Sequence, residues 1–205
     1  SRGLGDVYKR QAVLMGDVNP SGKLPFTFPA RLEDVPAHQL GEYPGSEKVG
    51  DIVNEKYNES IFVGYRWADK QKKAKPLFPF GHGLSYTTFE YGKPVADKKT
   101  MTADDTITFT VTVKNTGDRE GQEVVQLYIS DKKSSLPRPV KELKGFERIY
   151  LQPGQTRTVT FKIAPEMLKF YDYDLQYVIE PGDFQVMIGS NSRDVKTAAF
   201  TVTSK

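Results

Sequence analysis

Residues 106–115 read TITFTVTVKN, and the alternation in that stretch decides the fold. Successive side chains of an extended chain point to opposite faces. Ile107, Phe109, Val111 and Val113 therefore share one side, while Thr106, Thr108, Thr110 and Thr112 share the other. Branched and aromatic residues on one face, with threonine on the other, describe a strand of an antiparallel sheet buried on one side only. The same period of two returns at Val125, Leu127 and Ile129, at Val159, Phe161 and Ile163, at Phe184, Val186 and Ile188, and at Phe200 and Val202.

Turn chemistry separates these runs. Asn115-Thr116-Gly117-Asp118 is one such signal, and Pro153-Gly154 and Pro181-Gly182 are two more. In a Pro-Gly pair, proline presets φ at the first central position and glycine accepts a positive φ at the next, which predicts type II turns. Only Pro165–Phe170, PEMLKF, reads as a helical turn, opened by its proline. Short alternating strands punctuated in this way predict a mainly β fold over residues 90–205. The expected form is an antiparallel β-sandwich of the immunoglobulin or fibronectin type III kind.

Residues 12–89 obey a different grammar. They are rich in proline and aromatic residues and show neither a clean helical period nor a clean strand period. Ile61–Tyr65, IFVGY, is short and apolar and predicts a buried strand. LPFTFP and PLFPF are bounded by proline, which holds the residue before it extended. So much Phe, Tyr and Trp with so little regular structure does not close a core by itself. The segment reads as the tail of a larger domain.

Composition narrows the chemistry. A net charge of +3 comes partly from one run, Asp69–Pro76, whose four lysines predict a solvated loop rather than a nucleic-acid surface. With no cysteine, disulfides, a catalytic thiolate and Cys-ligated zinc are excluded. His38 and His82 stand far apart in the chain, which gives no basis for a metal site, and no cofactor is expected. No apolar run reaches the roughly 20 residues needed to span a bilayer. FGHGLSYTTF lacks the G-x-S-x-G elbow of a hydrolase nucleophile, so His82 is expected to hydrogen-bond locally in a glycine-lined turn. In GDVNPSG the following residues are Lys23 and Leu24, so the Lys-Ser/Thr phosphate cradle is missing.

Carboxylates are plentiful, including Glu33, Asp34, Glu42, Glu55, Glu59 and the pair Asp104 and Asp105. Glycoside hydrolysis needs two of them across a pocket, but spacing among 26 acids nominates no pair. Sugar can also be bound by stacking on aromatic rings beside polar groups. Tyr57, Tyr65 and Trp67, with Arg66, are the candidates for substrate binding; the competing use of these rings is to pack a seam between domains.

Several strings together resemble one family. GDVNPSGKLPFTFP (16–29), YNESIFVGYRW (57–67), PLFPFGHGLSYTTFEY (76–91), VKNTGDREGQEVVQLYI (113–129), PRPVKELKGF (137–146), LQPGQT (151–156) and EPGDFQVMIGSNSRD (180–194) resemble the carboxyl-terminal part of glycoside hydrolase family 3. The likeness runs in order from Ala12 to the end, departing locally at Ser60, where glycine is expected. It implies a retaining exo-β-glycosidase, most simply a β-glucosidase, built from a (β/α)8 barrel, an α/β sandwich domain and a fibronectin type III-like domain. The substrate implied is a β-linked oligosaccharide or glycoside. In the family an Asp of the barrel attacks the anomeric carbon and a Glu of the second domain protonates the leaving oxygen, at a separation of roughly 5–5.5 Å. Neither motif has a match here, so no catalytic residue is assigned and the chain is expected to be inactive alone. Family habit places such enzymes in the bacterial periplasm or outside the cell.

Residues 1–11, SRGLGDVYKRQ, depart from the small, glycine-rich sequence that the family places before AVLMG. DVYKRQ is the in-frame translation of GAT GTG TAT AAG AGA CAG, which resembles a transposase adaptor end. Residues 1–11 are therefore expected to be non-native, residues 12–89 the remnant of the α/β domain plus linker, and residues 90–205 the fibronectin type III-like domain. The alternative is a free-standing carbohydrate-binding or adhesion module of fibronectin type III type. Such a module has no use for an aromatic half-domain ahead of its sandwich.

Overall fold

The computed structural model describes residues 5–43, 45, 47–49, 52–71 and 75–204. Ahead of the sandwich lie three short helices, α1 (Gly5–Met15), α2 (Pro36–Gln39) and α3 (Tyr65–Lys70). One antiparallel pair, β1 (Glu47–Val49) with β2 (Ile52–Asn54), sits among them. α1 runs unbroken through Ala12, so the change of composition at that residue is not a structural boundary. LPFTFP and PLFPF meet each other: Phe28 and Phe78 form an isolated antiparallel bridge, with N–H to O distances of 2.8 and 3.2 Å.

The sandwich follows. One sheet is centred on β6 (Ile107–Asn115), the TITFTVTVKN stretch. β3 (Phe89–Tyr91) and β4 (Val95–Ala96) share one edge of β6 in succession, and β9 (Thr156–Ile163) takes the other. The second sheet has the order β5 (Thr100–Thr102), β13 (Val195–Thr203), β12 (Gly182–Gly189), β7 (Gly121–Asp131), β8 (Glu142–Leu151). All its pairs are antiparallel except β5 with β13. The chain crosses between sheets from β6 to β7, back from β8 to β9, and again toward β12. A short hairpin, β10 (Phe170–Tyr171) with β11 (Tyr177–Val178), lies off both sheets.

The alternation read from the sequence becomes the core. Ile107, Phe109, Val111 and Val113 are at most 1% exposed and share one core with Val159 and Ile163 of the neighbouring β9 and with Leu127, Val186 and Ile188 of the other sheet. Phe109 meets Phe200 edge-on at 5.7 Å, and Phe184 stacks on the same ring at 5.4 Å. At the end of β6 the fully buried Asn115 fills its whole bonding capacity. Its Oδ1 accepts from Thr87 Oγ1 and Gly117 N, and its Nδ2 donates to Arg119 O and Leu151 O. A buried amide left short of partners would cost free energy; this one ties β6 to two loops and to β8.

Three expectations need correction. Ile61–Tyr65 is not a strand: Gly64, at φ 58° and ψ −128°, turns the chain, and Tyr65 opens α3, with Ala68 N donating to Gly64 O. Pro153-Gly154 has the positive φ (+74°) that a type II turn requires, but Gly182 does not and instead begins β12. The third concerns Asp69, the first residue of the run read as a solvated loop. Its side chain is only 4% exposed, because it is drawn under the sandwich by charge. Lys72, Lys73 and Ala74 of the same run lie outside the described residues.

Candidate functional site

The polar and aromatic chemistry of the chain concentrates where α3 and the FPFGHG loop meet β7, β8 and the turn after β12. Tyr65 accepts the Leu143 amide on its hydroxyl (3.0 Å), and its ring stands 5.0 Å from Phe80 and 6.0 Å, edge-on, from Tyr128. Arg66 reaches Glu142 at 3.3 Å. Trp67 is 5% exposed, and its indole Nε1 has no hydrogen-bond partner. Asp69 lies 3.1 Å from Lys141 and 3.6 Å from Arg193, while Arg193 also donates to Ala68 O (2.9 Å).

Gln126, 3% exposed on the outward side of β7, spans the seam. Its Nε2 donates to Gly81 O (3.2 Å) and to Ser190 O (2.7 Å), while its Oε1 accepts from the Tyr128 hydroxyl. A Cβ on Gly81 would lie 2.1 Å from Gln126 Oε1, and Gly81 has φ +78°, so glycine is required there by space and by backbone. A second crossing lies nearer β3: Lys23 pairs with the buried Glu123 (3.1 Å), which also accepts from the Tyr91 hydroxyl (2.8 Å). Asn19 adds a third, donating to Glu120 O and accepting from Ser85 Oγ and Tyr86 N.

The titrating groups here are restrained by these contacts. Burial pushes the Asp69 carboxyl above its ordinary value, with Lys141 and Arg193 pulling partly back. For Glu142 burial acts upward too, but the hydrogen bond from Arg138 and the charges of Lys144, Arg138 and Arg66 outweigh it, and its carboxyl ends below the ordinary value. A carboxylate lowered in the folded state contributes stability that is present above its unfolded value and lost as pH falls through the folded one. The thermal midpoint gap between the native chain and Glu142→Gln is therefore expected to narrow from about pH 6 to about pH 3 in calorimetric scans. A constant gap would remove the ionic role of Glu142.

Of the four side chains expected to bind sugar, Tyr65, Arg66 and Trp67 are brought together at this seam. Tyr57 stands apart and is 78% exposed. His82 makes one local bond, its N donating to Pro79 O, while its O accepts from the distant Leu24 N and its ring stacks on Phe78 at 5.0 Å. Among the described residues no cluster of His, Asp and Glu could hold a metal ion. Asp69 and Glu142, the acids of the seam, are both engaged by cations.

The sequence reasoning did not nominate Glu123, Gln126, Asp69 or Lys141. Two signals for them were present. Glu123 occupies an inward position in the alternation of Gly121, Val125, Leu127 and Ile129. VVQLYIS is also a nearly continuous apolar run, which marks a strand covered on both faces.

Comparison with known proteins places this geometry. The model of the glycosyl hydrolase family 3 C-terminal domain matches residues 9–86, and that of a fibronectin type III-like domain matches residues 123–192. The chain belongs to the carboxyl-terminal part of glycoside hydrolase family 3. It is 52% identical over 188 residues to beta-glucosidase BoGH3A of Bacteroides ovatus, covering 90% of this chain and 24% of that protein. To the periplasmic beta-glucosidase of Salmonella typhimurium it is 43% identical over 188 residues, covering 92% of this chain and 23% of that protein. The crystal structure of DesR, a beta-glucosidase from Streptomyces venezuelae in complex with D-glucose, superimposes with a TM-score of 0.81 at 38% identity, over 95% of this chain and 24% of that one. The chain thus spans about a quarter of the length of the family 3 relatives it matches.

Proposed function

We propose that the chain is the non-catalytic, carboxyl-terminal portion of a retaining exo-β-glycosidase, a β-glucosidase acting on β-linked glucosides, and that it is inactive alone. The observation that carries this reading is an apolar groove of about 740 Å³ lined by Val13, Leu14, Leu24, Phe28, Phe78 and Leu84. Leu14, Phe28, Phe78 and Leu84 are 80%, 43%, 40% and 75% exposed, whereas the inward residues of the sandwich are closed. Apolar surface on this scale marks an interface, and the three quarters of the relatives' length not matched here are the natural cover. Residues 12–89 then serve as the last piece of the α/β domain, and residues 90–205 as the fibronectin type III-like domain that braces it. Tyr57 keeps its ring open for a glycoside, while Tyr65 and Arg66 are committed to the seam. The name of the Salmonella relative supports a periplasmic or secreted compartment.

The test is complementation. Residues 1–205 alone are expected to release no nitrophenol from an aryl β-glucoside above buffer, because the roughly 10⁶-fold acceleration of an enzyme has no source without both carboxylates. Co-expression with the amino-terminal three quarters of the Bacteroides ovatus relative, itself produced without its last quarter, is expected to restore turnover. Turnover by 1–205 alone that is lost in Glu59→Gln would overturn the reading, as would failure of the two pieces to form a complex.

A further inference from the structure

The β10–β11 hairpin stands off both sheets and has two unlike faces. On one, Phe170 lies opposite Val178; both are half-buried, and the Arg138 guanidinium sits 4.6 Å from the centre of the Phe170 ring. That face anchors the hairpin to the sandwich. Alternation puts Tyr171 and its cross-strand partner Tyr177 on the other face. Their rings stand 5.0 Å apart at 39° to one another, 62% and 50% exposed, and Tyr173 in the turn is 80% exposed. The turn is held by its own bonds: Asp172 Oδ1 accepts from Asp174 N and Gln176 N, and Asp172 N donates to Gln176 O. Leu175 takes a φ of +57° there with its apolar side chain 77% exposed. A bulky residue in the left-handed region is strained. Neither the backbone nor the core accounts for leucine at that position, which points to a contact made outside the chain.

We propose that this face binds a β-linked glucan chain, one pyranose ring stacked on Tyr171 and the next on Tyr177, with Tyr173 and Leu175 extending the track. In an equatorially substituted pyranose, C–H bonds cover the two faces and hydroxyls ring the edge. The C–H faces suit the negative π-face of a tyrosine. The edge hydroxyls can donate to the exposed Asp174 carboxylate and accept from the exposed Gln176 amide. The 5.0 Å between ring centres is close to the length of one sugar unit along such a chain. Asp172 and Asp174, set among the rings, repel a nucleic acid or an anionic lipid surface. A second copy would bring the same two carboxylates against them. No hairpin residue lines the apolar groove given above to the rest of the enzyme. The choice of a glucan rests on the β-glucosidase reading; the two-ring face and the strained turn do not.

Calorimetric titration of residues 1–205 with cellohexaose is expected to give a Kd of about 0.1–1 mM. D-glucose, which covers only one ring, is expected to bind at least about tenfold more weakly. Tyr171→Ala and Tyr177→Ala are each expected to weaken cellohexaose binding about tenfold. Tyr171→Phe, which keeps the ring and removes the hydroxyl, should stay within about twofold of the native chain. The proposal is overturned if cellohexaose gives no saturable heat, if Tyr171→Ala titrates like the native chain, or if Tyr171→Phe falls as far as Tyr171→Ala. A dimer seen in sedimentation and lost in Tyr171→Ala would give the face to a second copy. Failure of Tyr171→Ala to join the amino-terminal piece of the complementation experiment would give it to that piece. Either result overturns the proposal. Thermal midpoints check that each variant is folded, and the native titration needs no variant. Calorimetry reads binding at the hairpin and complementation reads turnover, so each can fail while the other holds.

Discussion

Lys141→Met is expected to destabilise the chain by about 3–5 kcal/mol, the cost of removing one partner from a buried ion pair. The Asp69 side chain is 4% exposed and that of Lys141 8%, so neither charge has water to fall back on. Arg193, whose side chain is 40% exposed and 3.6 Å from Asp69, compensates only in part. The pH dependence has a definite sign. Without Lys141 the Asp69 carboxyl, already raised by burial, rises further, so the folded state binds a proton more tightly than the unfolded one. The variant's deficit should be full at neutral pH and shrink as pH falls and the Asp69 carboxyl takes up its proton. Asp69→Leu combined with Lys141→Met should recover most of the loss, because well-packed apolar groups replace a buried pair at little cost. Urea titrations followed by Trp67 emission, two residues away on α3, measure both. A loss under about 1 kcal/mol would mean the pair is spectator chemistry.

The second large effect is a contrast within one molecule. Backbone amides of β6, β7 and β9 are expected to exchange with solvent deuterium at least about a thousandfold more slowly than most amides between Ala12 and Asn54, a difference of roughly 4 kcal/mol in opening free energy. β6 is bonded on both edges and buried through Ile107–Val113. The earlier segment holds Leu14, Val18, Phe26, Leu32 and Tyr43 at 80%, 51%, 48%, 61% and 56% exposed, and little packing resists its opening. Leu24 and Phe28, whose amides donate to His82 O and Phe78 O, should be intermediate. Uniform protection across both regions, read by mass spectrometry, would mean that residues 12–54 close a core of their own, and the part-domain reading would fail.

The sandwich was legible because a strand with one wet face writes its burial into a period of two. Ile107–Val113 and Val159–Ile163 carried that signal plainly. β8 did not: ELKGFERIYL is an edge strand, leaves Phe146 69% exposed, and carries a break in register opposite Leu127 and Tyr128 that scrambles the alternation. Ile61–Tyr65, the stretch leading into α3, was misread as a strand because IFVGY is short and apolar, a pattern that length alone cannot assign, and because Gly64 turns the chain. The seam was half legible. Tyr65, Arg66 and Trp67 were singled out for their chemistry, but Leu143 and Glu142, the partners of Tyr65 and Arg66, lie 78 and 76 residues on. Only the folded chain brings them together.

Gln126 and Glu123 bear on how such enzymes change their parts over evolutionary time. Both sit on β7, in the middle of the sandwich, yet their bonding partners Gly81 and Lys23 belong to the stretch before it. A genetic exchange that moved residues 90–205 onto a foreign neighbour would carry along a buried carboxylate that keeps the Tyr91 hydroxyl but loses its lysine, and an amide that keeps Ser190 O but loses Gly81 O. A buried polar group short of a partner costs about 1–3 kcal/mol, more for the charge, against a total stability of only about 5–15 kcal/mol for an ordinary domain. The sandwich is therefore poorly suited to serve as a transferable cassette, and lineages that carry it should inherit it together with the Lys23 and Gly81 segments as one block.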